Sequence, residues 1–189
     1  MNKRTSSIKI VGGEFKGFKI PFFKSENLRP TLNKSRETLF NWLMYEITGA
    51  NCLDMFSGSG ALGLEALSRG AKYVYFLELS KKRCEKIQQT ISLLKLEDRA
   101  NVFNVNSLDI SHNEKIKRKY DIIFLDPPYR MNYLKKSHIL LEENQFVDKQ
   151  TVIYAEAEKE LHLDKELFKW NQIKYGTGGQ TAFGLFKKC

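Results

Sequence analysis

Two short stretches of this chain carry residue types whose spacing suits chemistry. The first is Asp54-Met55-Phe56-Ser57-Gly58-Ser59-Gly60-Ala61-Leu62-Gly63. Its glycines satisfy G-x-G-x-x-G, with Asp54 four residues before Gly58 and Glu78 twenty residues after it. The second is Asp126-Pro127-Pro128-Tyr129. A glycine loop between a strand and a helix lets backbone approach a ligand closely, and an acidic residue about twenty positions on can hold two ribose hydroxyls. Both features suit a dinucleotide or S-adenosylmethionine equally. Asp54 separates the two, because a carboxylate facing the loop repels a pyrophosphate and attracts an ammonium group. S-adenosylmethionine carries an ammonium and a sulfonium, and no phosphate. The expected cofactor contacts are Asp54, Phe56, Ser57, Gly58, Ser59, Gly60, Glu78, Leu79, Asn106 and Ser107. Asn106 is the candidate for the cofactor's adenine. Two alternatives stay open: Asp54 as a helix cap, and Asn106 as a local turn former.

In Asp126-Pro127-Pro128-Tyr129 each proline fixes its own φ and keeps the residue before it extended. Such a stiff turn projects the Asp126 carboxylate and the Pro127 carbonyl in set directions, with the Tyr129 ring beside them. Two acceptors side by side suit an exocyclic amine of a base. The lone pair of that amine is delocalised into the ring, and bonds to its two N–H groups favour a pyramidal, nucleophilic nitrogen. The gain is positioning and electrostatics. Tyr129 can stack on the base, a contact worth about 1–3 kcal/mol. Asp126, Pro127 and Tyr129 are therefore the candidate catalytic set. The alternative is a rigid loop with no ligand.

The elements needed to position these residues follow from the hydrophobic pattern. Short apolar runs at Asn51–Met55, Tyr73–Leu77, Asn101–Val105, Asp121–Leu125 and Val152–Glu156 predict strands. Helical spacing predicts helices over Lys34–Thr48, Ala61–Arg69, Lys81–Lys95 and Tyr133–Glu143, with a poorer one near Ser111–Lys119. Alternating strands and helices imply a parallel sheet covered on both faces. Gln172–Tyr175 and Thr181–Lys187 flank Gly176, Gly178 and Gly179, which predicts a terminal antiparallel hairpin. An α/β sheet ending this way resembles the Rossmann-like class I methyltransferases. Before it, Ile8–Phe23 alternates apolar residues with lysine and is broken by Gly12, Gly13 and Gly17, which predicts a β-hairpin extension. The expected organisation is a basic extension over 1–33 and a catalytic domain over 34–189.

The charge balance points to the partner. The 189 residues hold 31 Lys plus Arg against 22 Asp plus Glu, a net charge of +9. That surplus favours a polyanion. Lys9, Lys16 and Lys19 along the hairpin are candidate RNA contacts. The alternative is a solvated edge strand protected by its lysines. Cys52, Cys84 and Cys189 are widely spaced with no C-x-x-C and read as reduced thiols, so no disulfide framework and no metal site are expected. Met1–Ser7 is polar with no apolar run after it, and no apolar stretch reaches the length of a membrane span. The expectation is a cytoplasmic protein, monomeric by default.

Several runs carry a resemblance to a known family. They are Ile10-Val11-Gly12-Gly13-Glu14-Phe15-Lys16-Gly17, Leu28-Arg29-Pro30-Thr31, Arg36-Glu37-Thr38-Leu39-Phe40-Asn41-Trp42-Leu43, the glycine loop through Gly70, Asp126-Pro127-Pro128-Tyr129 and Gly179-Gln180-Thr181. Together they resemble the bacterial RsmD-like family of small-subunit ribosomal RNA guanine-N2 methyltransferases. The glycine loop and Asp-Pro-Pro-Tyr are common among amino-methyltransferases. The Gly-Gly hairpin and the run from Arg-Pro-Thr to Arg-Glu-x-x-Phe-Asn are far more specific. The resemblance implies a seven-stranded sheet, mostly parallel, with an N-terminal RNA-contacting hairpin. It implies methyl transfer from S-adenosylmethionine to N2 of one guanine in 16S ribosomal RNA, with the small subunit or its assembly intermediate as substrate. It also implies that Arg29, Thr31 and Arg36 lie near cofactor and RNA. Tyr129 stands where several members have phenylalanine. Three other readings compete. An adenine-N6 or cytosine-N4 methyltransferase shares Asp-Pro-Pro-Tyr. A nicotinamide-dependent oxidoreductase is opposed by Asp54, and a non-catalytic RNA-binding module is opposed by the intact Asp126 and glycine loop.

Overall fold

The computed structural model describes residues 5–23 and 33–189. The chain opens with strands β1 (Thr5–Lys9) and β2 (Lys19–Phe23), paired antiparallel with Lys9 opposite Lys19. Then follow α1 (Asn33–Trp42), β3 (Asn51–Asp54), α2 (Ala61–Ser68), β4 (Tyr73–Glu78), α3 (Lys81–Leu93), β5 (Ala100–Asn104) and β6 (Ile122–Leu125). The chain closes with α4 (Tyr133–Glu143), β7 (Val152–Glu158), α5 (Leu163–Glu166), β8 (Trp170–Gly178) and β9 (Thr181–Lys188). β3 to β9 form one seven-stranded sheet in the order β5-β4-β3-β6-β7-β9-β8. β5 through β7 in that order are parallel, while β9 runs antiparallel to both β7 and β8. This is the Rossmann-like methyltransferase architecture expected from the alternating pattern and the glycine-turn tail.

Side chains alternate across a strand, so the period-2 pattern divides the core between two faces. Cys52, Val74, Phe76, Ile122, Phe124, Val152 and Tyr154 pack with α1, α2 and α3. Leu53, Tyr75, Leu77, Ile123, Leu125, Ile153 and Ala155 pack with α4, α5 and the turns over 110–120. Asp54 follows Cys52 by two, Glu78 follows Phe76, and the same step leads from Phe124 to Asp126 and from Tyr154 to Glu156. All four carboxyl groups therefore continue the first face beyond its apolar part, at the C-terminal ends of β3, β4, β6 and β7. Ligands of open α/β sheets gather at that edge. Among the described residues no helix is long and apolar enough to cross a membrane.

Three local expectations are corrected. Ser111–Lys119 forms turns and not a helix, because only Ile110, Ile116 and Tyr120 turn inward there. α1 ends at Trp42, and turns continue to Gly49, whose φ of 79° ends the segment. The short α5 has too little periodicity to be seen in sequence.

The N-terminal hairpin is bolted to the sheet by a buried carboxylate. Glu65 on α2 is fully buried and accepts Val11 N–H and Gly12 N–H at 2.8 Å each. It also pairs with Arg69 Nε at 2.8 Å. Ser68 continues the seam: its hydroxyl donates to the Gly12 carbonyl and accepts Phe15 N–H, and its carbonyl accepts Glu14 N–H. Gly13 has φ of 76°, and a Cβ there would lie 1.9 Å from the Ser68 carbonyl oxygen. Only glycine fits that close approach, which explains the Gly12-Gly13 pair. Ile10 and Ile20 join the core beside α1. Replacing Glu65 by alanine strands two backbone donors and a guanidinium. We expect a loss of about 3–5 kcal/mol in urea unfolding, with faster hydrogen exchange at Val11 and Gly12. A loss under about 1 kcal/mol would mean that the seam is not a main fastening.

Candidate active site

One cavity of about 690 Å³ opens at the C-terminal edge of the sheet. It is walled by the glycine loop after β3, the ends of β4 and β7, the turn after β5 and the Asp-Pro-Pro-Tyr loop after β6. Asp54, Phe56, Ser57, Gly58, Ser59, Glu78, Leu79, Asn106 and Ser107 line it, as do Asp126, Pro127 and Tyr129. Gly60 does not. It is the N-cap of α2, with φ of 78°, and together with Gly58 (φ of 54°) it lets the chain turn sharply into the helix.

The loop is shaped by the carboxylates that border it. Glu78 is buried, and its two oxygens accept Gly58 N–H and Ser80 N–H at 2.8 Å each. Arg83 Nη1 stands 3.7 Å from Glu78 Oε1, the oxygen that accepts Ser80 N–H. Asp54 is also buried and accepts Gly63 N–H at 3.1 Å. Gly63 is the third residue of α2, so Asp54 caps that helix across the loop and also faces the cavity. The two readings of Asp54 coexist. Burial pushes its carboxyl up to about 7 from an ordinary 3.8, with Glu78 adding to the rise and the Gly63 bond opposing it. Ser57 Oγ donates to the Asp54 carbonyl at 2.9 Å, and the Ser107 hydroxyl donates to the Met55 carbonyl. These two serines brace the wall. Asn106 is exposed at the cavity, and its Oδ1 accepts Leu108 N–H at 3.1 Å. Its local turn therefore also coexists with a cavity position.

The Asp-Pro-Pro-Tyr loop is held from both sides. Asp126 and Tyr129 are half-buried and Pro127 is buried. The Tyr129 hydroxyl lies 3.4 Å from Thr181 Oγ1, and Thr181 begins β9. Gly179-Gln180-Thr181 is therefore the turn that backs this loop. Arg130 N–H donates to Glu158 on β7. Arg130 and Asn132 both have positive φ, 61° and 53°. The chain leaves the two prolines through a bend that side chains seldom adopt, a form of strain found at functional loops.

Sequence reasoning missed four charged or aromatic residues of this wall. Arg83 is one. Tyr133 is a second, and it stacks on Phe56 with ring centroids 5.9 Å apart. Arg130 and Glu156 are the others. Glu156 had a legible signal, a glutamate inside the otherwise apolar run Val152-Ile153-Tyr154-Ala155.

The predicted RNA residues separate into groups. Lys9, Lys16 and Lys19 are exposed on the hairpin, and their neighbour Ile8 reaches the cavity wall. Arg36 is fully buried, donating to the Lys9 carbonyl at 2.9 Å, so it braces the hairpin from beneath. Burial pulls its guanidinium down from its ordinary value, and Glu65 opposes that. Arg29 and Thr31 lie outside the described residues.

The charged residues on this wall are four carboxyl groups (Asp54, Glu78, Asp126 and Glu156) and two guanidinium groups, Arg83 and Arg130. An acidic wall in a chain of net charge +9 suits a cationic ligand and disfavours a pyrophosphate. The donor chemistry thus fits S-adenosylmethionine and opposes a nicotinamide dinucleotide.

Comparison with known proteins agrees. The chain matches the family model described as Conserved hypothetical protein 95 over residues 8–187. It is 40% identical to ribosomal RNA small subunit methyltransferase D of Haemophilus influenzae over 184 residues, covering 95% of this chain and 93% of that protein. Its identity to the Escherichia coli protein of the same name is 38%, covering 97% and 91% of the two chains. The solved structure of yhhF from Escherichia coli superposes with a TM-score of 0.87 at 36% identity, covering 97% and 98%. The tRNA m1G37 methyltransferase of M. jannaschii shares the fold alone, with a TM-score of 0.69 at 16% identity, covering 100% of this chain and 58% of that one. The match over nearly the whole chain, together with the Gly-Gly hairpin seam and the Asp-Pro-Pro-Tyr loop, means that the chain belongs to the Conserved hypothetical protein 95 family, the RsmD-like methyltransferases.

Proposed function

We propose that this chain methylates the exocyclic N2 of a guanine in 16S ribosomal RNA, within the small subunit or an assembly intermediate, as a cytoplasmic monomer. The coarser part of that reading, methylation of ribosomal RNA with S-adenosylmethionine as donor, is the activity of the family to which the chain belongs. The observation that carries the reading is the single cavity shared by Asp54 and Glu78 at one end and Asp126, Pro127 and Tyr129 at the other. A cofactor and a base held there would meet.

S-adenosylmethionine supplies an electrophilic methyl on its sulfonium. The chain's own residues do the rest. Asp54 favours the ammonium of the methionine moiety, Glu78 accepts the ribose hydroxyls, and Asn106 with Ser107 borders the adenine. Phe56, Ser57, Gly58, Ser59 and Leu79 wall the site. Asp126 and the Pro127 carbonyl take the two N–H bonds of the amine and turn its lone pair outward. Tyr129 stacks on the base and is steadied by Thr181. Asp126 needs no unusual basicity, since the amine becomes acidic once methylated, and its role is to orient and to stabilise developing positive charge. The hairpin in 1–33 is the RNA-contacting extension of the catalytic domain in 34–189. Lys9, Lys16 and Lys19 face phosphate, Arg29 and Thr31 follow from the family resemblance, and Arg36 acts through the hairpin it braces.

Incubation with unmodified small subunits and labelled S-adenosylmethionine should yield N2-methylguanosine on nucleoside analysis. Asp126→Ala should lower the rate at least about 10²–10³-fold and leave cofactor affinity within about twofold. A methylated adenine or cytosine would overturn the base assignment, and lost cofactor binding in the variant would overturn the role of Asp126. Cofactor affinity should depend on Asp54 ionisation. Because its pKa is raised to about 7, binding a cation must pull it to the charged form. Affinity should therefore fall about tenfold from pH 8 to pH 6, and Asp54→Asn should abolish that step. A pH-independent affinity in the unaltered protein would place the ammonium elsewhere. Finally, replacing Lys16 and Lys19 by glutamine should flatten the log–log salt dependence of RNA binding by about one to two units. An unchanged slope would move the RNA surface off the hairpin.

A further inference from the structure

Asp126 and Pro127 accept from an amine, but they do not read the ring that carries it. Guanine, adenine and cytosine all present an exocyclic amine, and what differs is the ring nitrogen beside it. In guanine the amine has a ring nitrogen on each side, and one of them, N1, bears a hydrogen. In adenine and cytosine the ring nitrogen beside the amine bears a lone pair. A second acceptor beside the amine site therefore rewards guanine and repels the others.

Glu156 is placed to be that acceptor. Leu125 pairs with Ala155 across β6 and β7. Asp126 is the first residue past the end of β6, and Glu156 is the next residue along β7, on strands that lie about 4.8 Å apart where they pair. Both residues line the same cavity. Across the sheet the four carboxyls follow the strand order β4-β3-β6-β7 as Glu78, Asp54, Asp126 and Glu156. The first two serve the cofactor end, so Glu156 lies beyond Asp126 on the side of the base.

The group is also held there at a cost. Glu156 is only 5% exposed, on a strand whose first six residues are all buried. Burying a carboxylate is expensive unless it is bonded. Tyr154, two residues back on the same face, donates its hydroxyl to Glu156 Oε2 at 2.6 Å. Tyr154 is fully buried, and burial together with Glu156 raises its pKa well above the ordinary value, so it remains a donor. A carboxylate accepts up to about four hydrogen bonds, so the Tyr154 bond and a donor on the ligand can coexist. A packed core would gain more from an apolar residue here than from an oriented carboxylate.

We infer that Glu156 is the specificity-determining residue of this site: its carboxylate accepts the ring N1–H of the guanine whose amine is held by Asp126 and Pro127. Tyr154 is its positioning residue. This rests on the guanine-N2 reading above and adds the contact that selects the base. Enzymes that act on a single base commonly read its Watson–Crick edge in this manner.

The test uses 2-aminopurine, which keeps the 2-amino group and carries a lone pair at N1 in place of the hydrogen. Small subunits are reconstituted with guanine or 2-aminopurine at the position the enzyme methylates, and kcat/KM is measured on each. The unaltered enzyme should favour guanine by about 100-fold or more. Glu156→Gln offers an amide N–H to the N1 lone pair, so it should slow guanine and shrink the preference at least about tenfold. Its amide oxygen can still accept from Tyr154, and an unchanged affinity for S-adenosylmethionine reports a folded site. Glu156→Asp withdraws the carboxylate by one methylene and should slow guanine without gain on 2-aminopurine. Equal rates on the two bases in the unaltered enzyme overturn the inference, whether or not a variant folds. So does a guanine preference that Glu156→Gln leaves unchanged. Either result alongside N2-methylguanosine leaves the guanine-N2 reading standing, whereas methylation of adenine or cytosine in natural subunits removes that reading itself.

Discussion

A carboxylate buried at the end of a strand must be given donors, or it will protonate or drag water into the fold. The C-terminal edge of this sheet is organised around meeting that demand. Glu78 is satisfied by Gly58 and Ser80 N–H groups, and in being satisfied it fixes the start of the glycine loop. Asp54 accepts Gly63 N–H, which ties β3 to the first turn of α2, and burial still raises its pKa to about 7. Glu156 accepts the Tyr154 hydroxyl at 2.6 Å and lines the cavity. The same bonds that make these charges tolerable also set the shape of the site. Removing one would change the loop as well as the charge.

The second constraint is that the Asp-Pro-Pro-Tyr loop has no strand of its own beyond β6. Two prolines leave its backbone with few donors to offer a neighbour, so it is steadied by side chains from elsewhere. Thr181 backs Tyr129, and Glu158 takes the Arg130 N–H. Both come from β7 and β9, which pair Glu158 with Thr181. The antiparallel end of the sheet is thus more than a topological signature. It brings the last hairpin of the chain against the loop that carries Asp126, and it accounts for the Gly179-Gln180-Thr181 run. At the other end of the chain, Glu65 and Ser68 of α2 do the same for the N-terminal hairpin. α2 therefore serves two places, with its first turn at the glycine loop and its last turns at the hairpin.

How far this was legible in sequence depended on whether a residue acts locally or across the fold. The sheet was legible because its strands are short apolar runs between amphipathic helices. Ala61, Lys81 and Tyr133 open helices where the periodicity predicted. The glycine loop and Asp-Pro-Pro-Tyr were legible because their chemistry lies in consecutive residues. Arg36 was not. Its run resembled a family motif, but only the fold shows that its guanidinium is buried under Lys9. Glu65 was invisible for the same reason, since the backbone N–H groups it holds lie more than fifty residues away. Glu156 sat in plain view as an acidic residue within a buried strand, yet its meaning depends on the β6–β7 register. Ser111–Lys119 failed because helix-forming residues there have no continuous apolar stripe to bury, and propensity without burial does not hold a helix.

The placement of charge also bears on how a polyanion can be the substrate of an acidic cavity. The chain carries a surplus of nine positive charges, yet four carboxyl groups line the site. A phosphate would be drawn to the lysine-bearing hairpin and pushed away from the cavity. A base is neutral and pays no such penalty, and its amine hydrogens are attracted. Such a field would sort a nucleotide into its parts, favouring the backbone outside and the base within. Ile8 on the cavity wall and Lys9 beside it on the exposed face mark the boundary between these regions. Arg36 and Glu65 hold the hairpin at that boundary. On the proposed function the hairpin would contribute to base positioning as well as to affinity, because the distance between its lysines and Asp126 would limit how far a base could reach with its phosphate held.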